Sequence, residues 1–159
     1  MQHVVIYTDG ACKGNPGDGG YGIVILYGES EDQVIEDSGW VKSTTNNRME
    51  LFAVIHALES LVDPTEVDLY SDSKYVVSAI NERWLENWKF SGWKTSTGKA
   101  VKNIRLWLRL DHLLQKHKVS FHWVKGHNNN EWNERCDHLA VSAINDNAKI
   151  VYDEDLIVV

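Results

Sequence analysis

Three runs of β-forming residues, 4–8, 21–27 and 33–41, follow one another with too little chain between them for a crossover helix. Strands joined by such short connections run antiparallel. The first third of the chain therefore reads as a meander whose first turn is the glycine-rich stretch YTDGACKGNPGDGGYG, residues 7–22. Then the period changes. In NNRMELFAVIHALESLV, positions 50, 53, 54, 57, 58 and 61 form one helical stripe in which Ala53, Val54, Ala57, Leu58 and Leu61 are apolar and Glu50 is not. Asn47 stands three residues before Glu50, where it is expected to cap the helix in a capping-box pattern. EVDLYSD alternates as a strand and ends on Asp72, and SKYVVSAI opens a helix with Ser71, Asp72 or Ser73 as its cap. A helix over about 99–116, a strand VSFHWV, a loop KGHNNNE and a last helix follow; the stripe 137, 140, 141 and 144 of that helix again begins with an acid, Asp137. This order of elements predicts an α/β fold: a mixed sheet with helices on its faces.

At 159 residues, one domain is expected, and its 43% apolar and 25% charged shares are those of an ordinary globular protein. Two cysteines, Cys12 and Cys136, make no disulfide framework, and no apolar run is long enough to span a bilayer. With no secretory leader pattern at its start, a cytoplasmic protein with no membrane partner is expected. The net charge of −7 speaks against a nucleic-acid partner until its distribution is read. From position 83 to 109 there are seven basic residues (Arg83, Lys89, Lys94, Lys99, Lys102, Arg105, Arg109) and one acid, Glu86, a local +6 that leaves −13 for the remainder. The same segment holds Trp84, Trp88, Trp93 and Trp107. Cations interleaved with aromatics suit a phosphate backbone beside stackable bases or sugars.

Four acids occupy places that solvation explains poorly. Asp9 and Asp72 each end a strand, while Glu50 and Asp137 begin the sheet-facing stripes of otherwise apolar helical faces. Capping explains some of them singly but leaves Asp9 without a reason. An ionised group at the edge of a core costs several kcal/mol unless it is compensated, and hard divalent cations prefer oxygen ligands. A carboxylate cluster holding two magnesium ions is one solution for phosphodiester chemistry. His127, upstream of Asp137, is suited to proton transfer near neutral pH. A zinc site from His122, His127 and Cys136 lacks the short paired ligand spacings of such sites.

Four motifs, YTDGACKGNPGDGGYG, TTNNRMEL, YSDSKYV and WVKGHNNNEWNERCDHLA, stand in the order and spacing of the type-1 ribonuclease H family, which the chain resembles over nearly its whole length. RWLENWKFSGWKTSTGKAVKN resembles the basic protrusion of the bacterial form. The resemblance implies a ribonuclease H-like fold, a five-stranded mixed sheet with its first three strands antiparallel and flanked by helices. It implies a single catalytic domain over 1–159, with a protrusion at about 82–103 and a tail from about 146, acting as a monomer. The implied activity is endonucleolytic hydrolysis of the RNA strand of RNA/DNA hybrids, largely independent of sequence. Two Mg2+ ions, replaceable by Mn2+, would serve it, and 5'-phosphate and 3'-hydroxyl ends would result. Asp9, Glu50, Asp72 and Asp137 match the metal-binding carboxylates, and His127 the histidine that assists proton transfer or product release. Asn15, Asn46 and Asn47 match minor-groove contacts, while Cys12 and Gly14 lie in the loop whose backbone approaches the RNA. Thr45 and Asn103 match a pocket for a DNA phosphate, and Trp84 an aromatic against a deoxyribose. Two departures stand out at three positions: Phe90 and Ser91 stand where relatives often carry basic residues, and Lys74 where relatives vary. Two further readings are a binding module that keeps the fold without cutting, and a metal-dependent nuclease with another substrate.

Overall fold

The structure, a computed structural model, describes residues 1–28, 31–126 and 130–146. The meander forms as its short connections require: β1 (Gln2–Gly14) pairs antiparallel with β2 (Gly17–Tyr27), which pairs antiparallel with β3 (Gln33–Thr44). Helix α1 (Asn46–Glu59) then carries the chain across one sheet face, so β4 (Thr65–Ser71) enters parallel to β1. Three helices, α2 (Lys74–Asn81), α3 (Trp84–Phe90) and α4 (Ile104–Lys116), precede β5 (Lys118–Trp123), which is parallel to β4. The sheet order is β3-β2-β1-β4-β5, and α5 (Glu131–Asn145) follows. This is the expected five-stranded mixed sheet. No described helix is long and apolar enough to cross a membrane.

The glycine-rich stretch corrects one expectation. It is a continuation of the hairpin: β1 runs past Asp9 to Gly14, and the register pairs Asp9 with Gly22, Ala11 with Gly20 and Gly14 with Gly17. Asp9 is therefore inside its strand and not at its end. The glycines are there because helices press on both faces of this ribbon. A Cβ at Gly22 would stand 2.1 Å from the Cys136 carbonyl oxygen, and one at Gly20 would stand 2.2 Å from that of Ala140, both in α5. On the other face a Cβ at Gly19 would meet Thr44 and Met49 at 2.4 and 2.5 Å.

Helix α1 is buried almost all round, from Met49 to Ile55 and again at Ala57 and Leu58, between the sheet's Ile6, Ile23 and Leu69 and α4's Leu106, Trp107 and Leu110. The expected stripe, Glu50 included, lies inside. The cap is Thr45 and not Asn47: its hydroxyl accepts from the Arg48 amide at 3.3 Å and its carbonyl from Met49 at 3.0 Å. Ser73 caps α2, accepting from the Val76 amide at 3.3 Å. On the opposite face Cys136 of α5 packs over Val5, Val24 and Leu26. The face that α5 buries is Asn133, Cys136, Ala140, Ala143 and Ile144, and Val141 is 37% exposed. The expected stripe was thus rotated, and Asp137 is half-buried on its flank in the second turn, because the helix already starts at Glu131, capped by Asn130. The tail beyond Asp146 lies outside the described residues.

The contact of α5 with the bare backbone of β2 is directly testable. Gly22→Ala is expected to lower unfolding stability in urea by about 2–3 kcal/mol or more, since neither Cys136 nor its helix backbone can yield cheaply. An unchanged midpoint would contradict this packing.

Candidate metal centre and nucleic-acid interface

Parallel pairing of Thr8 with Ser71 brings the residues that follow them, Asp9 within β1 and Asp72 just past the end of β4, to one end of that pairing. Glu50 arrives from α1, and Gly10 lets it come close. A Cβ at Gly10 would lie 2.5 Å from the Glu50 nitrogen and 2.6 Å from the Met49 carbonyl carbon. The Gly10 amide donates to Asp9 Oδ1 at 2.9 Å and to Glu50 Oε1 at 2.5 Å, clamping the two carboxylates with one N–H. Asp9, Glu50 and Asp72 each offer an oxygen within 4.8 Å of the others. Asp9 is only 5% exposed and Glu50 7%, while Asp72 is half-buried.

Burial foremost, then the charges of Glu50 and Asp72, push the Asp9 carboxyl far above the usual carboxylate range; Asp137 adds to the rise. Burial and then the Asp72 charge push Glu50 up as well. Such a group stays fully ionised near neutral pH only with a cation among its oxygens. The donor set is all carboxylate, which fits a hard divalent ion such as magnesium and not a zinc site. Asp137 lies outside the group within 4.8 Å, yet its charge reaches Asp9. His127 lies outside the described residues. The zinc alternative finds no support: His122 Nε2 is 2.7 Å from Asp68 Oδ1, and the buried Cys136 thiol donates to the Tyr7 carbonyl at 3.2 Å.

Asn15, Thr45, Asn46, Asn47 and Asn103 line one cleft of about 510 Å³ together with Arg48 and Lys102, and Asn46 and Asn47 stand about one turn before Glu50 on α1. The chain thus collects five of the expected substrate residues from three separated motifs. The Asn46 amide donates to Asn15 Oδ1 at 3.2 Å, and Asn103 Nδ2 donates to the Tyr75 hydroxyl at 3.2 Å. Sequence reasoning had not singled out Arg48, which hides inside TTNNRMEL, nor assigned Lys102 to this cleft. Cys12 is half-buried, its thiol directed at the Gly17 and Thr44 carbonyls at 3.5 Å, and Gly14 turns the ribbon at φ +84°. Trp84 stands apart from them. It is 40% exposed and lines a second cleft, of about 360 Å³, with Asn87, Trp88 and Lys94.

The basic segment is less free than its count implies. Lys89 pairs with Asp111 at 3.2 Å and Arg109 with Glu59 at 2.7 Å. Trp107 is fully buried and Trp88 meets it edge-on at 5.3 Å, so these two tryptophans serve the core.

The electrostatics of the metal-free protein predict a reversal of the usual mutational sign. Asp9 titrates above its unfolded value near 4, so the unfolded chain gives up the proton more readily, and stability is lost as pH rises through that window. With chelator present, Asp9→Asn is expected to be more stable than the parent at pH 8 by about 1–3 kcal/mol. The gap should narrow toward pH 4 and close below about pH 3, where the carboxyl is protonated in both states. Thermal unfolding across that range measures it; equal stabilities at pH 8 would contradict the account.

The family profile described as RNase H matches residues 1–145. The chain is 55% identical over 149 residues to a protein named Ribonuclease H from Acetivibrio thermocellus, a match covering 94% of this chain and 99% of that one. Among solved structures it is similar to LC9-RNase H1, a type 1 RNase H with the type 2 active-site motif. That likeness has a TM-score of 0.79 at 31% identity, over 98% of this chain and 79% of the other. It is also similar to LC11-RNase H1, solved in complex with an RNA/DNA hybrid. There the TM-score is 0.67 at 28% identity, over 91% of this chain and 98% of that one. Fold, motif order and kinship agree: the chain belongs to the ribonuclease H family.

Proposed function

We propose that this chain is an endonuclease that hydrolyses the RNA strand of RNA/DNA hybrids with magnesium held by Asp9, Glu50, Asp72 and Asp137. The observation that carries the reading is the cluster of three carboxylates within 4.8 Å of one another, whose Glu50 follows Asn46 and Asn47 of a cleft of amides and cations by about one turn of α1. Asp9, Glu50, Asp72 and Asp137 would hold a magnesium pair, or manganese in its place, which would supply an activated water and a counter-charge for the departing oxygen in a cleavage leaving 5'-phosphate and 3'-hydroxyl ends. The residues of the chain do the rest. Asn15, Asn46 and Asn47, with the backbone around Cys12 and Gly14, contact sugars from the minor groove, where the 2'-hydroxyl distinguishes RNA from DNA without reading bases. Thr45, Lys102 and Asn103 hold a phosphate of the DNA strand, a role that their shared cleft supports. Trp84 meets a deoxyribose, and the protrusion over 82–103 steadies the duplex through Lys94 and Lys99. His127 moves a proton; it follows Gly126, whose Cα lies against the Asp72 carboxylate.

Cleavage assays on labelled hybrid, duplex DNA and duplex RNA in magnesium test the substrate. Only the hybrid is expected to be cut, its RNA strand alone, and Asp9→Asn is expected to lower the rate by about a thousandfold. Preferential cleavage of either homoduplex would overturn the reading. Replacing Lys94 and Lys99 together by alanine is expected to raise KM more than it lowers kcat and to reduce the salt dependence of binding by a slope of about 1–2. An unchanged slope would remove the protrusion from the interface.

A further inference from the structure

Asp72 lies beyond the last paired residue of β4, and unlike Asp9 and Glu50 it is only half-buried. Sheet pairing does not hold it. Three contacts from the segment that ends β5 take over. The Val124 amide donates to the Ser71 carbonyl at 3.0 Å, extending the β4–β5 pairing by one bond. The Trp123 indole Nε1 donates to the carbonyl of Asp72 itself at 3.1 Å. Gly126 closes on the carboxylate: a Cβ there would stand 2.9 Å from Oδ2 and 3.6 Å from Cγ. Trp123 is 45% exposed, so core burial does not explain its position. Its register partner is Ser71, and the Lys74 ammonium sits over its ring, 5.0 Å from the centroid, where it helps to hold the indole.

We infer that Trp123 and Gly126 are positioning residues for Asp72, setting where its carboxylate stands against Asp9 and Glu50 and so the affinity of the site for a divalent cation. The inference rests on the reading of the carboxylates as a metal site. Groups that orient a metal ligand without touching the metal govern affinity because a displaced oxygen must be brought back at the expense of binding free energy. The two residues act from different ends. Trp123→Phe keeps an aromatic face under Lys74 but deletes the donor to the Asp72 carbonyl. Gly126→Ala pushes on Oδ2, the free end of a flexible side chain, so the carboxylate rotates while the backbone stays in place. Neither change removes charge from the site or touches the cleft that holds phosphate.

Calorimetric titration of manganese alone into the substrate-free proteins tests this, beside steady-state cleavage of the hybrid. Each variant is expected to bind manganese about tenfold more weakly than the parent and to need a correspondingly higher metal concentration for half-maximal cleavage, with the KM for hybrid unchanged at saturating metal. A purely structural role would lower thermal stability without moving the metal affinity. Parental affinity in a folded Trp123→Phe or Gly126→Ala protein overturns the proposal. Failure of the parent itself to bind manganese overturns the metal-site reading instead.

Discussion

Asp9, Glu50 and Asp72 crowd their carboxyl oxygens within 4.8 Å of one another, and core packing fixes the elements that carry Asp9 and Glu50. Asp9 is inside β1, paired on one side with β2 and flanked on the other by β4. Glu50 belongs to a helix buried almost all round, whose backbone touches β1 where Gly10 has no side chain. The metal-free fold therefore holds protons on carboxyls that the unfolded chain would ionise, and a divalent cation among these oxygens would take their place. This explains why the hydrophobic contacts of α1 are so extensive around a charged residue: they offset the cost of holding Glu50 in place.

The same constraint orders the charge on the surface. An acidic centre on a protein of net charge −7 repels phosphate, so binding must begin elsewhere and bring the scissile group to a site whose charge a cation has neutralised. The cleft of Asn15, Asn46, Asn47, Arg48, Lys102 and Asn103 supplies groups for that approach. Its amides carry no net charge and suit sugars, while its two cations suit phosphate. Lys94 and Trp84 line a second cleft, which adds a cation and an exposed aromatic to these groups.

Much of this was legible in the sequence. Short connections dictated the meander, the change of period announced α1, and an acid on its apolar stripe marked Glu50, whereas the stripe drawn through Asp137 was rotated from the face that α5 buries. What escaped was tertiary. Glycines at 10, 20 and 22 read locally as turn formers, yet they exist for helices whose approach no local pattern reveals. Thr45 outcompeted Asn47 as the cap because β3 runs on to Thr44, which sets where the helix can begin. Lys89 and Arg109 counted as free cations until Asp111 and Glu59 were found beside them. Trp107 looked like a stacking residue and is core, because a tryptophan on an amphipathic helix declares its face only when the neighbouring helix is known.

The central claim is that three carboxylates from separate elements form one cation site at which the hybrid is cut. A crystal structure with manganese and an RNA/DNA hybrid, recorded at a wavelength where manganese scatters anomalously, tests it most directly. The account predicts anomalous peaks bounded by oxygens of Asp9, Glu50 and Asp72, with a phosphate of the RNA strand against them. Peaks elsewhere on the protein, or a hybrid seated away from these carboxylates, would contradict it.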